Sequence, residues 1–249
     1  MQYEGSSPED LDRLRRRLRE GPQPEIVAGH FPFGIHESLP HPAEYITFLR
    51  DPIRRVLSLY DFTRTEVDHR LHDRVVSEGI TLGDYVTTGI TVEVDNHQTR
   101  LLSGEVDRPF GRCSERMLEA AKANLRDHVR VIGLTERFDE SLLLIGHELR
   151  LSRPHYSPLN HAVRRHRVSP TPQEIQSIRD LNELDVRLYG YAAERFADAI
   201  DAAGPTFGRE LARFRAVNRL YRPIGAVSYG LPRYLYHRGR ALIHDRTAR

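Results

Sequence analysis

Residues 45–60, YITFLRDPIRRVLSLY, confine the chain to a strand that turns directly into a helix. Tyr45, Ile46, Thr47, Phe48 and Leu49 are the β-branched and aromatic types that suit a pleated, buried surface. Asp51 can accept from the first N–H groups of a helix, and Pro52 suits the first helical position, where no N–H is needed. Ile53, Val56, Leu57 and Tyr60 then recur at i, i+3, i+4 and i+7 as one apolar face. Arg50 falls at the C-terminal end of the strand, where α/β proteins bind their ligands. An arginine, the Ser58 hydroxyl and a helix N-terminus together suit an anion such as phosphate.

The rest of the chain repeats the alternation. Residues 25–30 and 129–134 predict two more strands. Helices are predicted over 7–19, 81–88, 93–103, 114–125, 136–149 and 171–203. The last of these opens on a Thr171–Glu174 capping box and carries a suspected interruption at Gly190. Residues 153–167 have no periodicity and read as a loop. Strands alternating with helices predict an α/β fold, a parallel sheet flanked by helices. Residues 1–204 form the predicted domain, and 205–249 a basic, aromatic-rich helical extension.

Composition removes several classes of function. One cysteine, Cys113, excludes an internal disulfide framework and a cysteine-based zinc site. No apolar run approaches the roughly 18 residues of a membrane span, and residues 1–18 have no signal-peptide core. A cytoplasmic location is expected, with peripheral membrane contact through 205–249 as an addition to it. Lys122 is the only lysine among 37 basic residues, a bias that fits a GC-rich bacterial genome. Ten arginines face two acidic residues in 205–249, so the net charge of +2 leaves the body acidic. The extension can dock on that body, rest on an anionic membrane or touch an acidic glycan; nucleic acid is the least favoured partner. Asp68, His69 and His72 lack companion ligands, so no metal is expected.

His30 closes the strand predicted at 25–30. If that strand runs parallel beside 45–49, His30 and Arg50 open on the same sheet edge. A histidine there can take a proton from a hydroxyl near neutral pH. The plainer alternatives are a loop histidine and an arginine in a structural ion pair.

GHFPFGIH at residues 29–36, followed by YITFLRDPIRRVLSLYDFTR at 45–64, resembles the family of PAPS-dependent sulfotransferases that includes heparan sulfate 2-O-sulfotransferase. Those enzymes place a GH before a strand ending in RDPxxRxxSxYxF. NLRDHVRVIGLTERFDESLLLI at 124–145 is similar to the family's VGxTE strand and helix, and DVRLYGYAAERF at 185–196 to its late helix. The similarity spans roughly residues 25–200. It implies a P-loop-kinase-like sulfotransferase fold and transfer of a sulfuryl group from PAPS (3′-phosphoadenosine 5′-phosphosulfate) to a hydroxyl of a carbohydrate or similar acceptor, such as a glycan or glycolipid. By position, Arg50 and Ser58 would bind the nucleotide 3′-phosphate and His30 would be the general base. Asn160, Arg164 and Arg165 would add nucleotide contacts. Asn96 and Arg100 would line the acceptor cleft, the alternative for them being an ordinary polar helix face.

One departure shapes these expectations. The family carries a glycine-rich loop with a lysine, which cradles the 5′-phosphosulfate, upstream of the region matched here. Nothing before residue 25 resembles it, so the first strand and this loop are expected to be missing. Either the chain is part of a longer protein, or it is a catalytically inactive nucleotide- or glycan-binding remnant of the fold.

Overall fold

The computed structural model describes residues 2–3, 8–151, 156 and 168–225. In chain order the elements are β1 (Gln2–Tyr3), α1 (Pro8–Glu20), β2 (Ala28–Gly29), β3 (Tyr45–Leu49), α2 (Pro52–Thr65), α3 (His72–Ser77), α4 (Leu82–Thr87), α5 (His97–Ser103), α6 (Glu115–Asp127), β4 (Val129–Leu134), α7 (Phe138–Glu148), α8 (Pro172–Leu181), α9 (Glu183–Ala202) and α10 (Phe207–Gly225). The protein is mixed α/β and mostly helical. Its strands form two parallel pairs, β1 with β2 and β3 with β4.

The β3–β4 pair is the structural centre. Tyr45 lies opposite Val129 and, after a register shift of one residue, Ile46 to Leu49 lie opposite Val131 to Leu134, so both strands end at one edge. Gly133 lies opposite Phe48, and a Cβ there would come within 2.6 Å of the Phe48 ring. Glycine therefore lets that ring lie across β4 and meet Phe138, with centroids 5.4 Å apart. The apolar side packs Leu49, Val131 and Leu134 against Leu118 and Leu125 of α6, Leu144 of α7, and Leu188, Ala192 and Phe196 of α9. A second cluster joins Val56 and Tyr60 of α2 to Val75, Leu82, Tyr85, Val86, Val94 and Ile178. Each fully buried aliphatic or aromatic side chain contributes about 1.5–3 kcal/mol by leaving water.

The structure departs from the sequence pattern in four places. The strand expected at 25–30 is only Ala28–Gly29, paired with Gln2–Tyr3. The helix expected over 171–203 is two helices, broken at Asn182 and not at Gly190, which lies inside α9. Asn182 donates to the carbonyls of Ile178 (2.8 Å) and Val94 (2.7 Å), which holds the break against a distant segment. The helix expected over 93–103 is a 3-10 turn at Val92–Val94 and then α5, separated at Asn96, whose φ of 46° is left-handed. A short helix, α3, forms where none is predicted.

At the C-terminal side, α10 buries Phe207, Leu211, Phe214 and Asn218. Arg215 pairs with Asp139 at 3.0 Å and His147 with Glu210 at 2.8 Å, which ties α10 to α7. The docked form of the extension is thus seen as far as α10 extends; 226–249 lie outside the described residues. Among the described residues, no helix is long and apolar enough to cross a membrane.

Candidate functional site

The turn from β3 into α2 is gripped from three sides. On α2 itself, Asp51 accepts from the Arg54 N–H at 2.9 Å, the side-chain cap that its sequence position promised. From α5, Gln98 takes both main-chain groups of Arg50: its Oε1 accepts from the Arg50 N–H (2.8 Å) and its Nε2 donates to the Arg50 carbonyl (2.9 Å). From the end of β4, the Thr135 hydroxyl donates to the Leu49 carbonyl (3.2 Å), and Glu136 accepts from the Asp51 N–H (3.2 Å). From α9, the Tyr189 hydroxyl donates to the other Glu136 oxygen at 3.0 Å. Burial, and then the adjacent Glu136, push the Tyr189 phenol up to about 12, so it stays a donor. The RDP, TE and YGY stretches, far apart in sequence, therefore meet at one turn.

This clamp leaves a set of cationic side chains at the strand ends. Arg50 is partly exposed, and Ser58 is half-buried about two helical turns further along α2. Arg55 lies between them and donates to the Glu93 carbonyl at 2.7 Å. Burial lowers the Arg55 pKa, against the pull of Asp185 and Glu93, and Arg50 adds to the lowering. His30 is exposed just past β2. His97, the first residue of α5, is held well below the ordinary histidine range by burial, then by the charges of Arg55, His30 and Arg100. β2 pairs with β1 and β3 with β4, so the strand that precedes His30 does not run beside 45–49 as expected; His30 and Arg55 both act on His97, and Arg50 acts on Arg55.

Asn96 and Arg100 are placed differently from expectation. Both are buried, and Arg100 is only 1 % exposed. Arg100 donates to the Asp95 carbonyl (2.8 Å), the Asp95 carboxylate (2.5 Å) and the carbonyls of Arg108 (2.5 Å) and Pro109 (3.0 Å). Asn96 donates to the Leu181 carbonyl (2.7 Å) and to Asp95 (3.0 Å), and accepts from the Asp185 N–H (3.0 Å). Asp185 in turn caps α5 from α9, accepting from the N–H groups of Gln98 (3.0 Å) and Thr99 (2.7 Å). An acceptor-lining role for Asn96 and Arg100 fails because the polar groups of both are used inside the protein. Asn160, Arg164 and Arg165 lie outside the described residues.

Arg55 and His97 join this edge without having been singled out from the sequence. Arg55 could have been found, since its i+4 offset from Asp51 brings it back to the same helix face. His97 could not, because the break that exposes it to this edge has no local signal. Burial pushes the Cys113 thiol up to about 12, leaving a neutral, unreactive group. Among the described residues, no cluster of His, Cys, Asp or Glu side chains is fit to hold a metal ion.

Comparison with known proteins reaches the same region from outside. The family model of galactose-3-O-sulfotransferase matches residues 15–226. Heparan-sulfate 6-O-sulfotransferase 2 of Danio rerio is 30% identical over 206 residues, covering 70% of this chain and 42% of its own length. Heparan-sulfate 6-O-sulfotransferase 1-B of the same fish is 31% identical over 180 residues, covering 61% of this chain and 43% of its own. These relatives are of the 6-O type, where the motifs suggested the 2-O type. The chain spans less than half the length of either. A parallel β3–β4 pair with a cationic turn at its C-terminal edge is compatible with a sulfotransferase fold, and the chain belongs to the galactose-3-O-sulfotransferase family of carbohydrate sulfotransferases.

Proposed function

We propose that the edge formed by Arg50, Arg55, Ser58 and His30 binds the nucleotide of PAPS and directs its sulfuryl group to a sugar hydroxyl. The observation that carries this reading is the clamp on the β3–α2 turn. Gln98, Thr135 and Glu136 spend their hydrogen bonds on main-chain atoms, which fixes the direction in which Arg50 leaves the strand. A preset guanidinium loses less freedom on binding a phosphate than a mobile one. Arg50 and Ser58 are assigned to the 3′-phosphate. His30, exposed at the same edge, is assigned to the acceptor proton.

Sulfuryl transfer forms a bond from the acceptor oxygen to sulfur while the bond from sulfur to the 5′-phosphate oxygen breaks. The acceptor proton passes to a His30 nitrogen as its oxygen becomes nucleophilic. The names of the relatives point to a sugar hydroxyl as acceptor. Two measurements test the reading. Adenosine 3′,5′-bisphosphate should bind, and Arg50→Ala should weaken it. Sulfate transfer from labelled PAPS to a glycan mixture should disappear in His30→Ala. Failure of the first removes the nucleotide site; full activity of His30→Ala removes the base.

A second reading has its own observation. Lys122, the chain's one lysine, is on α6 and paired with Glu119 at 3.0 Å. No lysine stands at the strand ends to offset charge on the leaving oxygen. On this reading the chain binds nucleotide or glycan without transferring sulfate, and PAPS would bind but remain intact.

A further inference from the structure

Strand pairing does not set His30 against the Arg50 turn. β2 is two residues long and pairs with β1, while β3 pairs with β4. The segment that follows His30 is fastened in another way. The Tyr45 hydroxyl, at the start of β3, accepts from the His36 main-chain N–H at 3.1 Å and lies 2.7 Å from Nδ1 of the same residue. The Phe33 N–H donates to the Leu101 carbonyl of α5 at 2.7 Å. The Phe33 ring packs against those of Tyr45 and His128, with centroids 5.0 and 5.1 Å away. Gly34 makes the bend between Phe33 and Ile35 with φ at 101°, a region that favours glycine. Ile35 is buried with Leu14 and Leu18 of α1.

These ties share a support with the turn. Leu101 follows Gln98 on α5 by three residues, and Gln98 holds the Arg50 main chain. The segment after His30 and the turn at Arg50 therefore hang from one helix, about one turn apart. The second tie runs to β3, the strand that leads into Arg50. The Tyr45–His36 bond survives a change of charge on the ring. Burial raises the Tyr45 pKa, so the hydroxyl keeps its hydrogen. It donates that hydrogen to a neutral His36, and a protonated His36 donates back to the same oxygen, which has two lone pairs.

We propose that Tyr45 and His36 are positioning residues, whose hydrogen bond sets the segment after His30 against β3 and so fixes the reach of the His30 imidazole toward an acceptor hydroxyl. The proposal rests on the reading of His30 as base given above and adds the residues that hold it in place. Tyr45 precedes Arg50 by five residues, roughly 16 Å of strand, so its effect passes through the 30–36 segment and not through contact with the nucleotide.

The test is sulfate transfer from labelled PAPS to a glycan mixture by the full chain. Binding of adenosine 3′,5′-bisphosphate and thermal unfolding are measured on each variant alongside. Tyr45→Phe keeps the ring and removes the bond. Its kcat should fall about ten- to a hundredfold, the scale of a misplacement of roughly 1 Å, while nucleotide affinity changes less than about twofold. His36→Asn, whose Oδ1 can stand in for Nδ1, should keep more activity than His36→Ala, and this pair carries the same contrast should Tyr45→Phe fail to fold. The kcat of Tyr45→Phe should still decline in acid as in wild type, because the base is still present. Full kcat in Tyr45→Phe, or His36→Asn no better than His36→Ala, overturns the proposal. So does a parallel loss of nucleotide affinity, which would mean that the variant loosens the whole edge. Loss of the acid decline in Tyr45→Phe would make the latch itself the titrating group and overturn it too. If His30→Ala is as active as wild type, or wild type binds nucleotide and transfers no sulfate, the reading of His30 as base fails, and this role with it.

Discussion

The β3–α2 turn and the start of α5 are both polar, both rich in arginine and carboxylate, and joined by one residue, Gln98. They use their groups in opposite ways. At the start of α5 the side chains are spent on the protein. Arg100 makes four hydrogen bonds inside the fold, Asp95 accepts from Arg100, Asn96 and Gly111, and Asp185 caps the helix. At the turn, it is the main chain of Leu49, Arg50 and Asp51 that neighbours hold. Arg50 and Ser58 keep partial exposure at the edge, whereas the Arg55 side chain donates to the Glu93 carbonyl. A polar residue that holds the fold satisfies its side chain internally; one that faces a ligand has its backbone held so that its side chain can be aimed.

The strongest way to break that comparison is to truncate one arginine from each region. Arg100→Ala would leave the Asp95 carboxylate buried without its cation. Removing one member of a buried ion pair costs about 3–5 kcal/mol. Urea unfolding should show a loss of that size, and a variant as stable as wild type would show that the α5 cluster is not what holds this part of the fold. Arg50→Ala should do the reverse. Its main-chain clamp survives, so stability should fall by less than in Arg100→Ala. Affinity for adenosine 3′,5′-bisphosphate should fall roughly ten- to hundredfold, the range for a hydrogen bond to a charged group. Equal effects of both variants on both readouts would erase the distinction.

Most of the turn was legible because its signals are local. Asp51 and Pro52 announce a helix start within two residues, and the apolar run of β4 predicts its observed bounds, Val129–Leu134. The Thr171–Glu174 capping box likewise acts across three residues, and it forms. The α5 region was not legible, for a physical reason. Its breaks at Asn96 and Asn182 are held by bonds between residues more than 80 positions apart, such as Asn96 N–H to Asn182 and Asn182 to the Val94 carbonyl. Periodicity carries no trace of such bonds, so Asn96 and Arg100 looked like one face of a continuous helix. The expected neighbour of 45–49 differs from the observed one for the same reason: the strand before His30 pairs with β1, and β3 pairs with the distant β4.

A smaller effect probes the one titratable group between the two regions. His97 titrates in the unfolded chain near pH 6.5 and is held well below that value in the folded protein. Below about pH 6.5 the unfolded chain then carries the extra proton, so stability contributed at neutral pH is lost as pH falls. The slope reaches at most about 1.4 kcal/mol per pH unit. His69 is lowered by burial too and contributes in the same direction, so the informative quantity is the difference from His97→Gln. Urea midpoints at pH 5.0 and 7.5 should diverge less in the variant than in wild type. An identical divergence would mean that the ring is free to protonate in the fold.

The smallest effect sharpens the comparison within the turn itself. Asp51 is the residue there whose side chain is spent on the fold, accepting from the Arg54 N–H at 2.9 Å. By the rule drawn from the two regions, its loss should register in stability before binding. Asp51→Ala should cost about 1 kcal/mol, the usual price of a lost N-cap, while Asp51→Asn should keep most of it, since asparagine caps nearly as well as aspartate. Nucleotide affinity should change less than threefold in Asp51→Asn. Removing a negative charge beside an anion site would, if anything, tighten binding slightly. A tenfold loss of affinity in Asp51→Asn at unchanged stability would show that the carboxylate itself aims Arg50, and the line between fold-holding and ligand-facing groups would then have to be drawn through Asp51.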